Sequence, residues 1–339
     1  MARSVSSRSV PGELALIEAI RRRARSASRA LRLGIGDDCA VLRPKTSHEI
    51  CVTTDLSLEG THFRRDWHPP ESIGHRCLAR GLSDLAAMGA EPVAVFLSLA
   101  VPRRLAADWV DRFLTGFLAL AKKLRVPLAG GDTAESPAIS QGRGGLIAAD
   151  IVAVGQVPRG GAVLRSGARS GDIVYVTGTL GGAAAELLAL SRYPRKFGKL
   201  TDALAGHPHL FPEPRVAVGR RLRELANAMI DVSDGLSTDL THLCQSSGLA
   251  AVVEEAALPI HPLAAESRSV LELALHGGED YELLFTASPQ ARIPRKMAEV
   301  PIHRIGVMRK ASRGQRLVVL KSNDGRHISL EPVGWEHFR

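Results

Sequence analysis

The sequence predicts a mixed α/β fold divided between two domains. Strand-like and helix-like segments alternate in both halves of its 339 residues. A stretch rich in Gly and Arg and poor in apolar residues, Pro158 to Gly171, separates the halves. The length suits two modest cores, and 45% hydrophobic with 23% charged residues is the composition of a folded protein. The expected domains are 1–157 and 158–339.

In the first half, apolar residues at helical spacing predict an amphipathic helix from about Glu13 to Ala27, with Arg21, Arg22, Arg23 and Arg25 on its solvated face. Glu49 to Thr54 reads as a strand. Pro70 to Met88 reads as a helix, with Leu78, Leu82 and Leu85 on one side. Val93 to Val101 is a continuous apolar run, fit either for a buried strand or for an interface. Ala106 to Leu124 is an amphipathic helix, Val126 to Ala129 a short strand ending in Gly130-Gly131-Asp132, and Leu146 to Val154 a buried strand.

The second half restarts with a strand at Ile173 to Thr177. Helices follow at Gly182 to Leu190, Pro214 to Leu225 and Ser237 to Ser246. Strands are expected at Ala228 to Asp231, Ala250 to Glu254, Leu283 to Thr286 and Leu317 to Leu320. The basic stretch Arg304 to Arg316 reads as surface between short strands. With only 4% aromatic residues, both cores are expected to be aliphatic.

Composition also excludes several functions. The four cysteines (Cys39, Cys51, Cys77, Cys244) are far apart, which disfavours a zinc ribbon or a disulfide scaffold and fits a reducing, cytoplasmic setting. No apolar run reaches the roughly 18 residues of a membrane helix. The net charge of +9 invites a nucleic-acid reading, but the excess crowds into the N-terminal arginines. Residues 1–34 contain no aromatic platform on which bases could stack. There is no P-loop, kinase H-R-D, nucleophile elbow or H-x-x-x-H pair among the 12 histidines.

The informative residues are acidic. Asp37-Asp38, Asp55, Asp84, Asp132, Asp231 and Asp234 recur where apolar strands are expected to end, often beside Gly. Neighbouring carboxylates repel, and Mg²⁺ relieves that repulsion while keeping waters and phosphates in its shell. Gly- and Asp-rich turns also offer backbone N–H groups to an anion. Taken singly, Ser83-Asp84 and Ser233-Asp234 fit helix N-caps equally well.

Seven segments in order, GIGDDCAVL (34–42), TTDLSLEGTHF (53–63), LSDLAAMGAEP (82–92), AGGDT (129–133), LRSGARSGD (164–172), IDVSDGL (230–236) and GGEDYELLF (277–285), resemble the thiamine-monophosphate kinases. These belong to the aminoimidazole-ribonucleotide-synthetase-like, or PurM-like, superfamily. The resemblance spans nearly the whole chain. It implies two PurM-like domains, the first with dimer-forming strands and ATP/Mg²⁺ sites, and a homodimer. It further implies Mg²⁺-dependent, in-line transfer from ATP to thiamine monophosphate, without a protein general base.

Carried over position by position, the resemblance implies a metal set of Asp38, Thr53, Thr54, Asp55, Asp84, Asp132, Asp231 and Asp234. It implies ATP contacts at Gly131, Asp132, Arg165 and Ser233, and thiamine-side contacts at His62, Glu279 and Trp335. Gly81 stands where the family usually has Asn, and Ala134-Glu135-Ser136 replaces the usual Thr-Arg-Gly. Two other readings stay open on these residues: a superfamily enzyme with a different acceptor, and a member that binds ATP without transfer. A selenophosphate synthetase would need a reactive N-terminal Cys, whereas the first cysteine here is Cys39.

Overall fold

The computed structural model describes residues 12–24, 28, 30–106, 108–138, 145–193, 206–312 and 316–334. These fold as two units. The first takes described residues from 12 to 81 and 92 to 156, with Tyr193; the second takes 82–91, 157–192 and those from 206 onward. The segment Leu82–Glu91 lies inside the first of the domains delimited from sequence, yet it packs with the second unit.

The first unit opens with helix α1 (Glu13–Arg23) and the antiparallel pair β1 (Leu31–Leu33) and β2 (Val41–Leu42). Residues 25–27, the end of the helix expected from sequence, lie outside the described residues. The arginine-rich face of α1 is largely solvated, but Arg23 is tied down: its guanidinium donates to the Asp111 carboxylate at 2.9 Å and to the Thr115 hydroxyl at 2.7 Å.

Strand β3 (His48–Leu58), helix α2 (Pro70–Ala87), β4 (Glu91–Pro102), α3 (Trp109–Leu124), β5 (Leu128–Ser136) and β6 (Ala148–Pro158) follow. The four-stranded sheet runs β3-β6-β4-β5, with β4 and β5 parallel, so α3 is the crossover of a β-α-β unit. Val93, Val95, Leu97 and Leu99 are all buried within the one chain, so this apolar run is core. Helices α2 and α3 meet where Gly74 and Gly116 remove side chains. A Cβ on Gly74 would stand 2.0 Å from the Phe113 carbonyl, and one on Gly116 1.8 Å from that of Glu71.

The buried residues of this unit are mostly Leu, Ile, Val and Ala, as expected, with a short aromatic row on one helix. Trp109, Phe113 and Phe117 stack along α3 at centroid spacings of 5.5 and 6.4 Å, and Phe113 and Phe117 are fully buried. The few aromatics are concentrated at i, i+4 on one helix face, where each buried ring contributes about 1.5–3 kcal/mol.

The second unit contains β7 (Ile173–Thr177), α4 (Gly182–Arg192), α5 (Val216–Leu222), β8 (Ala228–Val232), α6 (Leu236–Ser247) and β9 (Leu249–Glu254). After these come α7 (Pro262–Ala265), α8 (Val270–His276), β10 (Glu282–Ala287), β11 (Lys296–Met297), β12 (Val300–Lys310), β13 (Val318–Lys321) and β14 (His327–Ser329). Its sheet runs β14-β13-β9-β12-β7-β10-β8, with β11 added on β12. Only the β13–β9 pair is parallel among the described pairings.

Strand β12 corrects the sequence expectation. The basic side chains Arg304, Arg309, Lys310 and Arg316 are exposed as expected, but Arg304 to Lys310 belong to one eleven-residue strand at the middle of the sheet, paired with β7 and β9, and not to a link between short strands. Ile302, Ile305 and Met308 enter the core, while Arg309 and Lys310 reach solvent at its end.

Candidate active site

In the second unit three sequence motifs meet at one end of β8. Asp231, the fourth residue of β8, is only 3% exposed. The Ser83 hydroxyl donates to its Oδ2 at 2.6 Å, from a residue 148 positions earlier in the chain. Burial, and then the charge of Asp84, push the Asp231 carboxyl up to about 7; the Ser83 bond and the Arg165 guanidinium pull the other way. Asp84 is therefore not at a strand exit or at an N-cap. It stands well inside α2, near the helix end that belongs to the second unit.

The loop Ser233-Asp234-Gly235 leads into α6. Its backbone N–H groups are not open to an anion, as the turn composition suggested. All three donate to Asp239 Oδ2, at 3.0, 3.0 and 3.1 Å. Asp239 is 1% exposed, and its carboxyl is held well above the ordinary range by burial first, then by the charges of Asp231 and Asp234. Nor does Asp234 cap α6, whose N-cap is Gly235 with no side-chain cap bond. Sequence reasoning missed Asp239. Its signal was an acid in the first turn of an expected helix, four to six residues after the loop residues it clamps.

The Gly277-Gly278-Glu279-Asp280 segment is knitted to this loop. Glu279 N–H donates to the Ser233 carbonyl at 2.7 Å, and Tyr281 N–H to that of Val232 at 2.9 Å. Glu279 and Tyr281 both hold left-handed backbone, at φ 67° and 50°. Asp280 turns inward and accepts the N–H groups of Gly181 at 2.6 Å and Ala183 at 3.1 Å; burial pushes its carboxyl up to about 7. Arg165 is exposed, and its carbonyl is held by the Ser247 hydroxyl at 2.8 Å. The second unit thus brings Asp84, Asp231, Asp234, Ser233, Arg165 and Glu279 into one neighbourhood.

The other candidates lie in the first unit. Asp38 is exposed, and its N–H donates to the Asp37 carboxylate at 2.9 Å. Asp55 lies inside β3, not at its exit, and is ion-paired with Arg80 at 2.7 Å. Thr53 and Thr54 are consecutive in that strand, so their side chains point to opposite faces. Thr53 faces α2, where its methyl lies 3.8 Å from the position of a Cβ on Gly81. The two hydroxyls therefore cannot serve one ion together; one of the residues can contribute only a backbone oxygen.

Gly131-Asp132 is likewise inside a strand, β5, and does not form a turn after it. Gly131 has φ 151°, and a Cβ there would stand 1.8 Å from the Leu97 carbonyl on β4. Asp132 is exposed, and its own carboxylate accepts Thr133 N–H at 2.8 Å. His62 helps to line a small pocket with Ser57, Phe63, Ile73, Arg76 and Arg80. Its Nδ1 accepts the Leu58 N–H at 3.0 Å, and its carbonyl accepts from Arg76 at 3.0 Å. Trp335 lies outside the described residues.

Among the described residues no three His, Cys, Asp or Glu side chains form a closed metal cage. The half-buried Asp84 beside the buried Asp231, with Asp231 and Asp234 both acting on Asp239, is a set of oxygen donors of the kind a hard cation takes when water and phosphate oxygens complete its shell.

This combination of loops and folds defines a class. Residues 36–157 match the N-terminal domain, and residues 169–324 the C-terminal domain, of AIR synthase related protein. The Escherichia coli K12 thiamine-monophosphate kinase is 37% identical over 335 residues, covering 96% of this chain and 98% of that one. That of Bacillus subtilis 168 is 35% identical over 315 residues, covering 91% and 94%. The crystal structure of thiamine-monophosphate kinase from Stenotrophomonas maltophilia K279a superposes with TM-score 0.79 at 37% identity, covering 95% of this chain and 99% of that one. AaThiL complexed with AMPPCP and TMP gives TM-score 0.73 at 30% identity, covering 96% and 97%. The chain belongs to the AIR synthase related family and, within it, to the thiamine-monophosphate kinases.

Proposed function

We infer that this chain transfers the γ-phosphoryl of ATP to the phosphate of thiamine monophosphate, giving thiamine diphosphate and ADP. The observation that carries the reading is the knot at the end of β8, where the LSD, IDVSDG and GGED motifs of one kinase family meet. The acceptor is a phosphate oxygen, anionic at neutral pH, so the transfer needs no protein general base. What it needs is two polyanions held together, and a basic chain that buries aspartates at one place is built for that through metal.

Mg²⁺ is the cation this donor set suits. In the second unit Asp84, Asp231 and Asp234 would hold it; in the first, Asp38, Asp55 and Asp132 with an oxygen from Thr53 or Thr54. Bound there, it would neutralise phosphate charge that builds up during transfer. Asp239 consumes the loop's N–H groups, which favours a cation-facing loop of carboxylates and carbonyls over an anion nest. Arg165 is placed to face phosphate oxygens, with Gly131 and Ser233 as further ATP contacts. His62, Glu279 and Trp335 are assigned to the thiamine side; His62 would act through its ring's Nε2 edge, since Nδ1 is engaged with Leu58.

A homodimer in the cytoplasm completes the reading. Edge strand β3 shows Ile50, Val52 and Leu56 on one face at 47%, 61% and 49% exposure, an apolar row suited to a second copy of the chain. No described helix is long and apolar enough to cross a membrane. Incubation with thiamine monophosphate, ATP and Mg²⁺ tests the activity directly. Thiamine diphosphate should accumulate in step with ADP; none at any Mg²⁺ concentration would overturn the assignment.

A further inference from the structure

One face of strand β3 looks at helix α2. Thr53, Asp55 and Ser57 alternate on it, each less exposed than the residues between them. On α2, Arg76 and Arg80 stand one turn apart. Arg76, only 4% exposed, donates from Nη1 to the His62 carbonyl at 3.0 Å. Arg80 Nη2 lies 2.7 Å from Asp55 Oδ1, with the two side chains 16% and 20% exposed. Gly81 beside it lets the helix sit low on the sheet: a Cβ there would stand 3.3 Å from both Ile151 and Ala153 of β6.

The ion pair is felt beneath the helix. Cys77 is fully buried, and burial, then the Asp55 carboxylate, push its thiol up to about 12, while Arg80 pulls the other way. Arg80 thus offsets the charge of a carboxylate assigned to metal. Such a partner acts in two opposed ways. Outer partners commonly strengthen a metal site by orienting its ligands. Orienting one short carboxylate on a strand is worth about twofold to threefold. A unit positive charge facing a doubly charged ion costs about tenfold, even with the screening of bulk water. The charge wins unless further anions offset it, and phosphate supplies those.

We propose that Arg80 is the built-in counter-ion of Asp55: it weakens binding of bare Mg²⁺ at the first-unit carboxylates, so that the ion is taken up together with nucleotide phosphate. The proposal rests on the assignment of Asp55 to the metal set. With phosphate present, the added negative charge balances both the ion and the guanidinium, and the penalty disappears.

Mn²⁺, a paramagnetic substitute for Mg²⁺, reports binding to the full chain without nucleotide by electron paramagnetic resonance. Asp55→Asn, made in wild type and in Arg80→Met, identifies the binding class that depends on Asp55 by weakening it. Arg80→Met keeps the apolar stem and loses the charge, so that class should tighten about tenfold while any other class moves by less than about twofold. Arg80→Lys keeps the charge and should stay within about threefold of wild type. Calorimetric affinity for Mg²⁺ with a non-hydrolysable ATP analogue should change by no more than about twofold in Arg80→Met. Thermal unfolding reports folding separately, and Arg80→Gln repeats the measurement if the Met variant does not fold.

Mn²⁺ binding that is unchanged or weaker in Arg80→Met overturns the proposal. So does equal tightening of every Mn²⁺ class, or a tenfold gain that persists with the analogue. If Asp55→Asn weakens a class that Arg80→Met leaves alone, Asp55 keeps its metal role and only the counter-ion role falls. If Asp55→Asn weakens no class in either background, the metal role of Asp55 falls, and this proposal with it.

Discussion

Asp231→Asn should stabilise the metal-free protein at high pH and abolish its stabilisation by Mg²⁺. The folded carboxyl sits at about 7, against an ordinary 3.8, chiefly because it is buried and then because Asp84 is charged beside it. A folded value above the unfolded one means that the folded state holds its proton longer. Stability from this group is thus fully present below about pH 4 and is lost as pH rises to about 7. Lifting the carboxyl from 3.8 to about 7 costs the folded ionised form about 4 kcal/mol, at about 1.4 kcal/mol per pH unit. Asparagine keeps the shape, can still meet the Ser83 hydroxyl, and carries no charge to desolvate.

Denaturant unfolding in EDTA should therefore show the variant more stable than wild type by about 4 kcal/mol at pH 8, and by roughly half that or less at pH 5. Adding Mg²⁺ with a non-hydrolysable ATP analogue should stabilise wild type at pH 8 and leave the variant nearly unmoved. A gain that is equal at the two pH values, or absent at pH 8, would refute the view that Asp231 is a desolvated charge. A Mg²⁺ response of equal size in both proteins would remove Asp231 from the metal set.

Three more outcomes are expected. Asp84→Asn should keep the unfolding transition of wild type while kcat for thiamine diphosphate formation falls about a thousandfold or more, since an amide is a poor Mg²⁺ ligand; near-normal turnover would take Asp84 out of the site. Gly131→Ala should destabilise the first unit by about 3 kcal/mol or more, because its Cβ would collide with the Leu97 carbonyl across β4–β5; an unchanged melting temperature would contradict that close approach. Val52→Lys should give a monomer in sedimentation velocity where wild type gives a dimer, and a dimer in both would move the interface away from β3.

The elements readable from sequence are those whose period is clean. Helix α2 runs Pro70–Ala87 against an expected Pro70 to Met88, and β7 runs Ile173–Thr177 as expected, because apolar spacing decides both. Strand β12 was hidden because VPIHRIGVMRK mixes Pro, His and three cations with its apolar residues. Its burial does not alternate cleanly, and its register shifts between Arg304 and Gly306. Gly131-Asp132 misled in the opposite way. Glycine at φ 151° looks like a turn in sequence but here lets β5 continue close beside β4. The opposed faces of Thr53 and Thr54 were legible, since a strand over that span already places consecutive residues on opposite sides.

The chemistry at the end of β8 was only half legible, for a reason that lies in polar satisfaction. A Ser-Asp-Gly loop before a helix exposes N–H groups, and sequence alone lets these face a phosphate. Which way the loop is used depends on whether a side chain elsewhere takes those donors. Asp239 takes three of them with one oxygen, at the cost of burying a carboxylate beside two others. Buried acids so close together repel and weaken the empty fold. A bound cation would offset that charge, and would let a chain of net charge +9 hold polyanionic substrates at an acidic centre. Arg165, whose charge is felt at Asp231, is the guanidinium that the fold sets beside this centre.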